Sequence, residues 1–255
     1  MPFRASLATA RPQPFLPVAT AEARRPTARP VSTAPAAPQR PVDAFDTGKP
    51  PRFEGLKDKA LIKALHDAVA KHKDLGYSQA RKVIFTELDN HDGKVACVYT
   101  GRELRTNKIP NSSDMNTEHT WPQSKGATGA AKSDLHHLFP TDSKANSIRS
   151  SYPFGEVKNV KWSQGGSKFG TDEKGRLVFE PPDAHKGNVA RALFYFSTVY
   201  NKAIPPQDEA ILKKWNVTDK VDAAERTRND TIERHQGNRN PFVDDASLAQ
   251  RIADF

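Results

Sequence analysis

The first patterned stretch of the chain, "GLKDKALIKALHDAVAKH", repeats apolar residues at helical spacing. They share one stripe of the helix: Leu56, Leu61, Leu65, Ala68 and Val69. The next stretch, "YSQARKVIFTEL", continues this period with Ala80, Val83, Ile84 and Leu88. Because side chains three and four residues apart lie on one helix face, the pattern predicts two amphipathic helices.

Shorter patterns follow these helices. The cluster "DNHDGK", which begins at Asp89, predicts a turn before a short strand over 95–99. "HHLFP" is strand-like, and "VKWSQGGSKFGTDEKGRLVFEP" indicates a strand or hairpin region. These pieces predict a small irregular sheet.

Helical patterns return in the last third of the chain. "GNVARALFYFSTVYN" is apolar around its whole circumference, which is typical of a core helix. More polar helices are predicted in "PQDEAILKKWN", "DAAERTRNDTIERH" and "DASLAQRIADF". The fold class that follows is α+β, a mainly helical domain with a small sheet insert.

Composition divides the chain into a tail and a domain. Residues 1–52 hold 11 of the 20 prolines and show no helical or strand period, so they are predicted to form a disordered, Pro/Ala/Arg-rich tail. Residues 53–255 have the length of one domain with its own core. The net charge is +9, and the tail accounts for +5 of it, with 8 Lys and Arg against 3 Asp and Glu. An anionic partner is suggested, but the charge alone is weak evidence for it.

Cysteine usage and hydropathy argue against a fold stabilised by disulfides and against a membrane-spanning helix. The single cysteine, Cys97, cannot form an intramolecular disulfide, and its strand-like setting favours a buried structural thiol. No run approaches the ~18 apolar residues of a membrane span. The best candidate for a secretory signal, "PFLPVATAEA", is short and is broken by Pro17.

Candidate chemistry is concentrated in "EHTWPQSKGATGAAKSDLHHLFPTDSKANSIRSS". Hydrolysis of a phosphodiester needs a base that activates water and a hard cation that neutralises the phosphate. His119 is the candidate base, and Glu118 and Asn146 are candidate oxygen ligands, a donor set that suits magnesium better than zinc. His137 is a candidate catalytic neighbour of His119 if the two strand-like pieces pair.

The segment "DSKANSIRSS" predicts a short helix with Asp142 as its cap. Asn146 and Arg149 then lie three residues apart on one face. An asparagine that reaches the metal would bring Arg149 toward the phosphate beside it, which suits phosphoryl chemistry.

Together these residues resemble the bacterial endonuclease I family, nonspecific nucleases of the ββα-metal (His-Me finger) class. "EH" followed by Pro122, "DLHHLFP", and then Asn146 and Arg149 match its pattern. So do "DNHDGKVACVYTG", "KGNVARALFYFSTVY" and "RNDTIERHQGNRNPFVD", in the same order. The resemblance covers about residues 75–245. It implies a ββα-metal finger within 53–255. It also implies an endonuclease whose substrate is DNA, with RNA as a second substrate class.

The resemblance also implies roles for single residues. His119 is the general base, and Glu118 and Asn146 bind one magnesium-like ion, so activity is expected to rise as the imidazole deprotonates near neutral pH. Family members often carry a longer insert that supplies an arginine to the phosphate, whereas "SKGATGAAKS" offers Lys125 and Lys132. Arg149 therefore becomes the phosphate candidate, with both lysines as substrate-binding residues.

Other polar residues are assigned more ordinary roles. His136 is expected to be a structural imidazole, and His185 and His235 to be surface or capping residues. Gln236, Arg239 and Asn240 are expected to fix a loop, with Arg239 as a further candidate for substrate binding.

Two other functions stay open at this point: a nucleic-acid-binding protein whose metal site is structural, and a zinc hydrolase built on His119, His136, His137 and Glu118. The lack of an HExxH helix spacing argues against the zinc hydrolase.

Location and partners are expectations of the same kind. The resemblance implies export, while the single cysteine and the weak signal leave a cytoplasmic location open. Because an active nuclease in its producer's cytosol would cut the genome, we expect export, with residues 1–52 as a delivery segment, or an inhibitor protein. A monomer without a membrane partner is expected.

Overall fold

The computed structural model describes residues 53–255. The predicted disordered tail, residues 1–52, and its role in delivery lie outside the described residues. Within that part of the chain, no helix is both long and apolar enough to cross a membrane.

Helices are the main regular structure of the described domain, as the pattern predicted. The α-helices are α1 (Asp58–Val69), α2 (Tyr77–Val83), α3 (Ser143–Arg149), α4 (Asp183–Tyr200), α5 (Pro206–Thr218), α6 (Ala223–Gln236) and α7 (Pro241–Asp244). A π-helical turn (Ile84–Leu88) extends α2, and 3₁₀ turns cover Gln123–Lys125, Gly129–Ser133, Leu135–His137 and Ala246–Arg251.

Eight short strands form three small antiparallel sheets in the described residues. They are β1 (Asn90–His91), β2 (Lys94–Ala96), β3 (Glu103–Arg105), β4 (Met115–His119), β5 (Leu138–Asp142), β6 (Asn159–Gln164), β7 (Ser167–Thr171) and β8 (Leu177–Glu180). The sheet orders are β1-β2-β3, β4-β5 and β6-β7-β8. The fold class is therefore α+β, as predicted.

Helix α4 forms the centre of the core, as its apolar circumference predicted. Thirteen of its eighteen residues are buried, because α1, α5 and α7 pack around it. Its one buried cation, Arg191, donates two hydrogen bonds to Glu225 of α6 at 2.7 and 2.6 Å. Gly187 allows the close approach of the loop after α5, since a Cβ there would lie 2.1 Å from the Asp219 carbonyl oxygen.

Strands β4 and β5 and helix α3 form a continuous unit. The two strands pair antiparallel, with Glu118 opposite Phe139 and His119 opposite Leu138, and α3 follows β5 directly. All five residues of β5 are buried. This burial fixes the hairpin inside the domain and holds α3 against β4.

Several local predictions are corrected by the structure. In "HHLFP" the two histidines belong to a 3₁₀ turn, and the strand begins at Leu138. Asp142 occupies the N-cap position of α3 without capping it. Its carboxylate instead accepts hydrogen bonds from Arg102 and Thr100. His185, expected at the surface, is 7% exposed.

Cys97 agrees with its prediction as a buried structural thiol. It is 2% exposed, and its Sγ accepts a hydrogen bond from the Asp142 main-chain N–H at 3.0 Å. The thiol thus helps to fix the junction between β5 and α3.

Candidate active site

Glu118 and His119 end strand β4 and point to opposite faces, as alternation along a strand requires. The Glu118 carboxylate is buried, and its Oε1 accepts a hydrogen bond from the Tyr99 hydroxyl at 2.9 Å. Arg149 Nε lies 3.2 Å from the same oxygen, but the pair lacks hydrogen-bond geometry. Burial raises the pKa of Glu118, and the charge of Arg149 opposes that shift.

Arg149 is buried and binds main-chain carbonyls at the end of β4. It is 2% exposed. Its Nη2 donates to the Thr120 carbonyl at 2.6 Å, and its Nη1 donates to the carbonyls of Ser150 and His119 at 3.0 and 3.4 Å. In this conformation its guanidinium is bound to main-chain oxygens and faces Glu118, and its assignment to the substrate phosphate stays a prediction. The side chain joins α3 to the end of β4.

Asn146 faces the same side of β4 as Glu118. Its Nδ2 donates to Asn116 Oδ1 at 2.8 Å, and Asn116 lies two residues before Glu118 on one strand face. Asn146 is half-buried, and its Oδ1 accepts no hydrogen bond from any residue of the described domain. A carboxylate and an amide oxygen on facing elements fit a hard cation that keeps several waters.

The imidazole of His119 is held by a main-chain oxygen. Its Nε2 lies 3.0 Å from the Lys132 carbonyl oxygen. A carbonyl only accepts, so Nε2 carries the proton and Nδ1 keeps its lone pair. The Gln123 side-chain amide, 3.4 Å from Nδ1, is oriented to donate to it.

Burial keeps this ring neutral. It lowers the pKa of His119 to about 3, helped by the nearby charge of His137. The deprotonation step expected near neutral pH therefore moves to lower pH in the free protein. A neutral ring with an available Nδ1 is the form that a general base requires.

His137 lies beside His119 but cannot reach a substrate in this conformation. The two ring centroids are 5.6 Å apart, and His137 is fully buried, with Nε2 2.6 Å from the Ala131 carbonyl oxygen. Burial also lowers its pKa. The structure places it as a neighbour of His119, as expected, and its catalytic role stays a prediction.

The four groups of the zinc alternative are not brought to one centre. His136 is buried, as the structural interpretation predicted, and its Nε2 faces the Asn238 carbonyl oxygen at 3.2 Å. His119 and His137 likewise direct Nε2 to carbonyls. In the described residues no group of three or more His, Cys, Asp or Glu side chains is arranged to hold a metal.

Asp134 anchors the segment that orients the imidazoles of His119 and His137, and no pattern in the sequence indicates this role. Its buried carboxylate accepts hydrogen bonds from Tyr195, Tyr200, Gln236 and the His136 main chain at 2.8–3.0 Å. Burial alone would raise the pKa of Asp134, but the facing imidazoles and the Gln236 amide lower it to about 2. The 3₁₀ turn Gly129–Ser133, which supplies the carbonyls of Ala131 and Lys132, ends directly before it.

The three predicted substrate cations have different environments. Lys132 is half-buried and Lys125 is exposed, and neither Nζ pairs with a carboxylate of the described domain. Arg239 contacts three carboxylates at 2.6–2.9 Å, those of Asp230, Glu233 and Asp244. These ion pairs occupy its guanidinium in this conformation, and its assignment to substrate binding stays a prediction. Gln236 and Asn240 do fix main-chain groups, as predicted.

Tyr77, at the start of α2, is a residue of the site that the sequence analysis missed. Its ring is half-buried and lies 5.5 Å from the ring of His119, tilted by 33°. Within the helical pattern of 77–88 the residue carries no distinguishing signal. It covers one side of the candidate base.

An apolar cavity of about 180 Å³ lies near this group. Arg149 and Lys125 line it, together with Trp121, Tyr152 and Phe154. Glu118, His119 and Asn146 do not line it, so the cavity is separate from the candidate base and ligands.

Comparisons of the sequence with known proteins identify its family. The family model described as Endonuclease I matches residues 58–247. The extracellular ribonuclease of Bacillus subtilis (strain 168) is 32% identical over 244 residues, which cover 86% of this chain and 81% of the relative. An extracellular deoxyribonuclease of Aeromonas hydrophila is 32% identical over 111 residues, 44% of this chain and 49% of the relative. Endonuclease-1 of Buchnera aphidicola subsp. Baizongia pistaciae is 32% identical over 114 residues, 44% of this chain and 46% of the relative.

Proposed function

The chain belongs to the endonuclease I family and is an endonuclease, and we propose that it cuts polynucleotides with His119 as general base and one divalent cation, magnesium. One observation carries this proposal: the Lys132 carbonyl fixes the proton of His119 on Nε2. The ring is thereby held as a base at the end of β4, and the two candidate oxygen ligands, Glu118 and Asn146, lie on the opposite face of that strand.

We interpret β4, β5 and α3 as a ββα-metal finger. Their order, antiparallel pairing and direct junction support this interpretation. So does the placement of the candidate base and one candidate ligand at the end of β4 and of the second ligand on α3. The finger would sit among the surrounding helices as a rigid support for the reacting groups.

In the proposed reaction, His119 Nδ1 accepts a proton from the attacking water. The fixed Nε2–H and the packing of the ring hold Nδ1 in one direction, so no rotation is needed when the water reacts. An anionic phosphate beside the ring favours its protonated form, so the basicity of His119 increases as substrate binds. The Gln123 amide, which contacts Nδ1 at 3.4 Å, gives way to the water.

Glu118 and Asn146 would hold the cation. When bound, a magnesium ion supplies positive charge to the phosphate oxygens and to the leaving oxygen. The ion pair with Arg149 and the hydrogen bond from Tyr99 keep the Glu118 carboxylate in place. Asn116 orients the Asn146 amide so that its oxygen is available.

We propose that both DNA and RNA are substrates. Relatives named as ribonucleases and as deoxyribonucleases both match this chain. The candidate substrate groups are cations that contact backbone phosphates, which DNA and RNA share. Cleavage is therefore expected with little sequence preference.

One assay tests the function directly. Supercoiled plasmid and a structured RNA are incubated with the protein, with magnesium or with a chelator, and the products are separated by size. Nicked and linear plasmid, or RNA fragments, that form only with magnesium support the proposal. Retardation of the nucleic acid without cleavage at any magnesium concentration would instead support a non-catalytic binding protein.

We also propose that the protein is exported. Several relatives are named as extracellular or periplasmic nucleases, and an active nuclease in the producer's cytosol would cut its genome. Fractionation of producing cells tests this. Active protein confined to the cytosol and free of any inhibitor would contradict both the export proposal and the inhibitor proposal.

A further inference from the structure

Arg81 of α2 is a cation without a counter-charge. Its side chain is half-buried, and its Nε is fully buried and has no hydrogen-bond partner. It forms no ion pair and no side-chain hydrogen bond with any residue of 53–255. By contrast, Arg191 and Arg239 are bound by carboxylates, and Arg149 is bound by carbonyls. A partly buried guanidinium left without a partner is unfavourable for the fold alone.

Tyr77 connects Arg81 to the candidate base. The Arg81 guanidinium carbon lies 5.9 Å from the centroid of the Tyr77 ring, and Lys132 Nζ lies 5.0 Å from the same centroid. The ring itself packs against His119 at 5.5 Å. Two cations without carboxylate partners therefore share one aromatic ring, and that ring touches the imidazole.

Lys132 ties this cluster to the orientation of His119. Its carbonyl accepts the Nε2–H of His119, while its side chain extends over Tyr77. An anion that binds Lys132 and Arg81 would thus lie next to the segment that fixes the base. The ring of Tyr77 lies between Arg81 and His119. Because Arg81 is thus separated from the candidate base, it is better placed for a phosphate next to the cleaved one than for the cleaved phosphate itself.

We propose that Arg81, Lys132 and Tyr77 form a subsite for a backbone phosphate adjacent to the scissile phosphate. The inference rests on the proposed nuclease function and extends it. Arg81 supplies the planar, five-donor group that fits a phosphate. Arg149 does not offer a comparable group in this conformation, because its guanidinium is bound by main-chain carbonyls. The Tyr77 ring packs against both cations and against His119, so it sets the positions of Arg81 and Lys132 relative to the candidate base.

The test compares Arg81→Gln with Lys82→Gln. Lys82 is the next residue of the same helix and has the same charge, but it is exposed and contacts neither Tyr77 nor Lys132. Binding of a fluorescent single-stranded oligonucleotide is measured by anisotropy in chelator, over a series of salt concentrations. We expect the magnitude of the slope of log K against log[salt] to fall by about 0.7 for Arg81→Gln, as for one lost phosphate contact on a single strand. Lys82→Gln should change it by clearly less.

Cleavage and folding measurements complete the test. kcat/KM of Arg81→Gln should fall at least tenfold with magnesium, and Arg81→Lys should recover part of both the slope and the rate. The thermal midpoint of Arg81→Gln should stay at the wild-type value or rise, since the side chain has no folding partner to lose. A lower midpoint together with an unchanged slope would assign Arg81 to the fold and overturn the subsite.

The remaining outcomes separate this inference from the function on which it rests. If the wild-type protein cuts and binds nucleic acid, but Arg81→Gln and Lys82→Gln have equal slopes and rates, the subsite is wrong and the nuclease function stands. If the wild-type protein neither cuts nor binds, the proposed function fails, and the subsite fails with it.

Discussion

The Nε2 atom of His119 lies 3.0 Å from the main-chain carbonyl oxygen of Lys132. The contact joins the end of β4 to the 3₁₀ turn Gly129–Ser133, and that turn precedes the buried carboxylate of Asp134. The tautomer of the candidate base is thus set by the main chain. Side-chain substitutions at position 132 leave this oxygen in place.

His119→Ala is expected to lower the single-turnover cleavage rate by about 10²–10⁴-fold, because a general base acts in the transition state. Affinity for an oligonucleotide in chelator should change little, since the base contributes little to ground-state binding. Quenched-flow cleavage and anisotropy measure the two quantities. His235→Ala is the matched control, because it removes an imidazole of α6 that pairs with Glu87 of the π-helical turn. More than about a tenth of the wild-type rate in His119→Ala would rule out this role.

Asn146→Ala is expected to raise the magnesium concentration needed for half-maximal activity and also to lower the maximal rate. The reason is that one oxygen ligand of a hard cation is lost. Glu118→Ala should act in the same direction. Magnesium titrations of the cleavage rate measure both effects. Ser147→Ala, an exposed neighbour of Asn146 on α3, should keep the wild-type midpoint. Unchanged midpoints in both ligand variants would mean that neither residue binds the ion.

The sequence predicts the features of the site that depend on local geometry, and not those that depend on contacts between distant segments. Alternation along a strand predicts that Glu118 and His119 diverge, and the structure places them so. The one-face spacing of Asn146 and Arg149 also holds, since they contact Asn116 and Glu118 on one face of β4. These predictions depend on local geometry alone.

The remaining features depend on contacts between distant segments. The carbonyl of Lys132 orients His119, and a main-chain oxygen carries no signature in the sequence. Arg149 was predicted to face a phosphate, whereas the folded chain offers it Glu118 and three carbonyls. Arg81 was overlooked because a half-exposed arginine in a polar helix face is ordinary until its missing counter-charge is seen in three dimensions.

Arg149→Met is expected to lower the free energy of unfolding by about 3 kcal/mol or more, because it leaves the buried Glu118 without its ionic partner. Urea unfolding at neutral pH measures this change. Lys144→Met, at an exposed position of the same helix, should change the stability by less than about 0.5 kcal/mol. If Arg149→Met instead lost cleavage while keeping wild-type stability, Arg149 would be a substrate ligand after all.

The decrease in the free energy of unfolding at acidic pH should depend partly on His185. This residue is 7% exposed, and its ring packs edge-on against Phe139 at 4.9 Å. Burial lowers the pKa of His185 to about 3, helped by the charges of Arg228 and Arg191. An unfolded chain titrates this group near 6.5. Between pH 6.5 and 3 the unfolded state therefore binds a proton that the folded ring does not, so stability is complete above pH 6.5 and falls with decreasing pH.

We expect His185→Phe to remove this part of the pH dependence. Between pH 7.5 and 5 the wild-type protein should lose about 2 kcal/mol more stability than the variant, since each pKa unit below 6.5 contributes about 1.4 kcal/mol. Other buried histidines contribute equally to both proteins, so the difference isolates position 185. Urea unfolding at the two pH values measures it, with His91→Gln as the control, because His91 is exposed in the fold. Equal losses in the wild-type protein and His185→Phe would show that the ring of His185 takes up its proton in the folded state as readily as in the unfolded one.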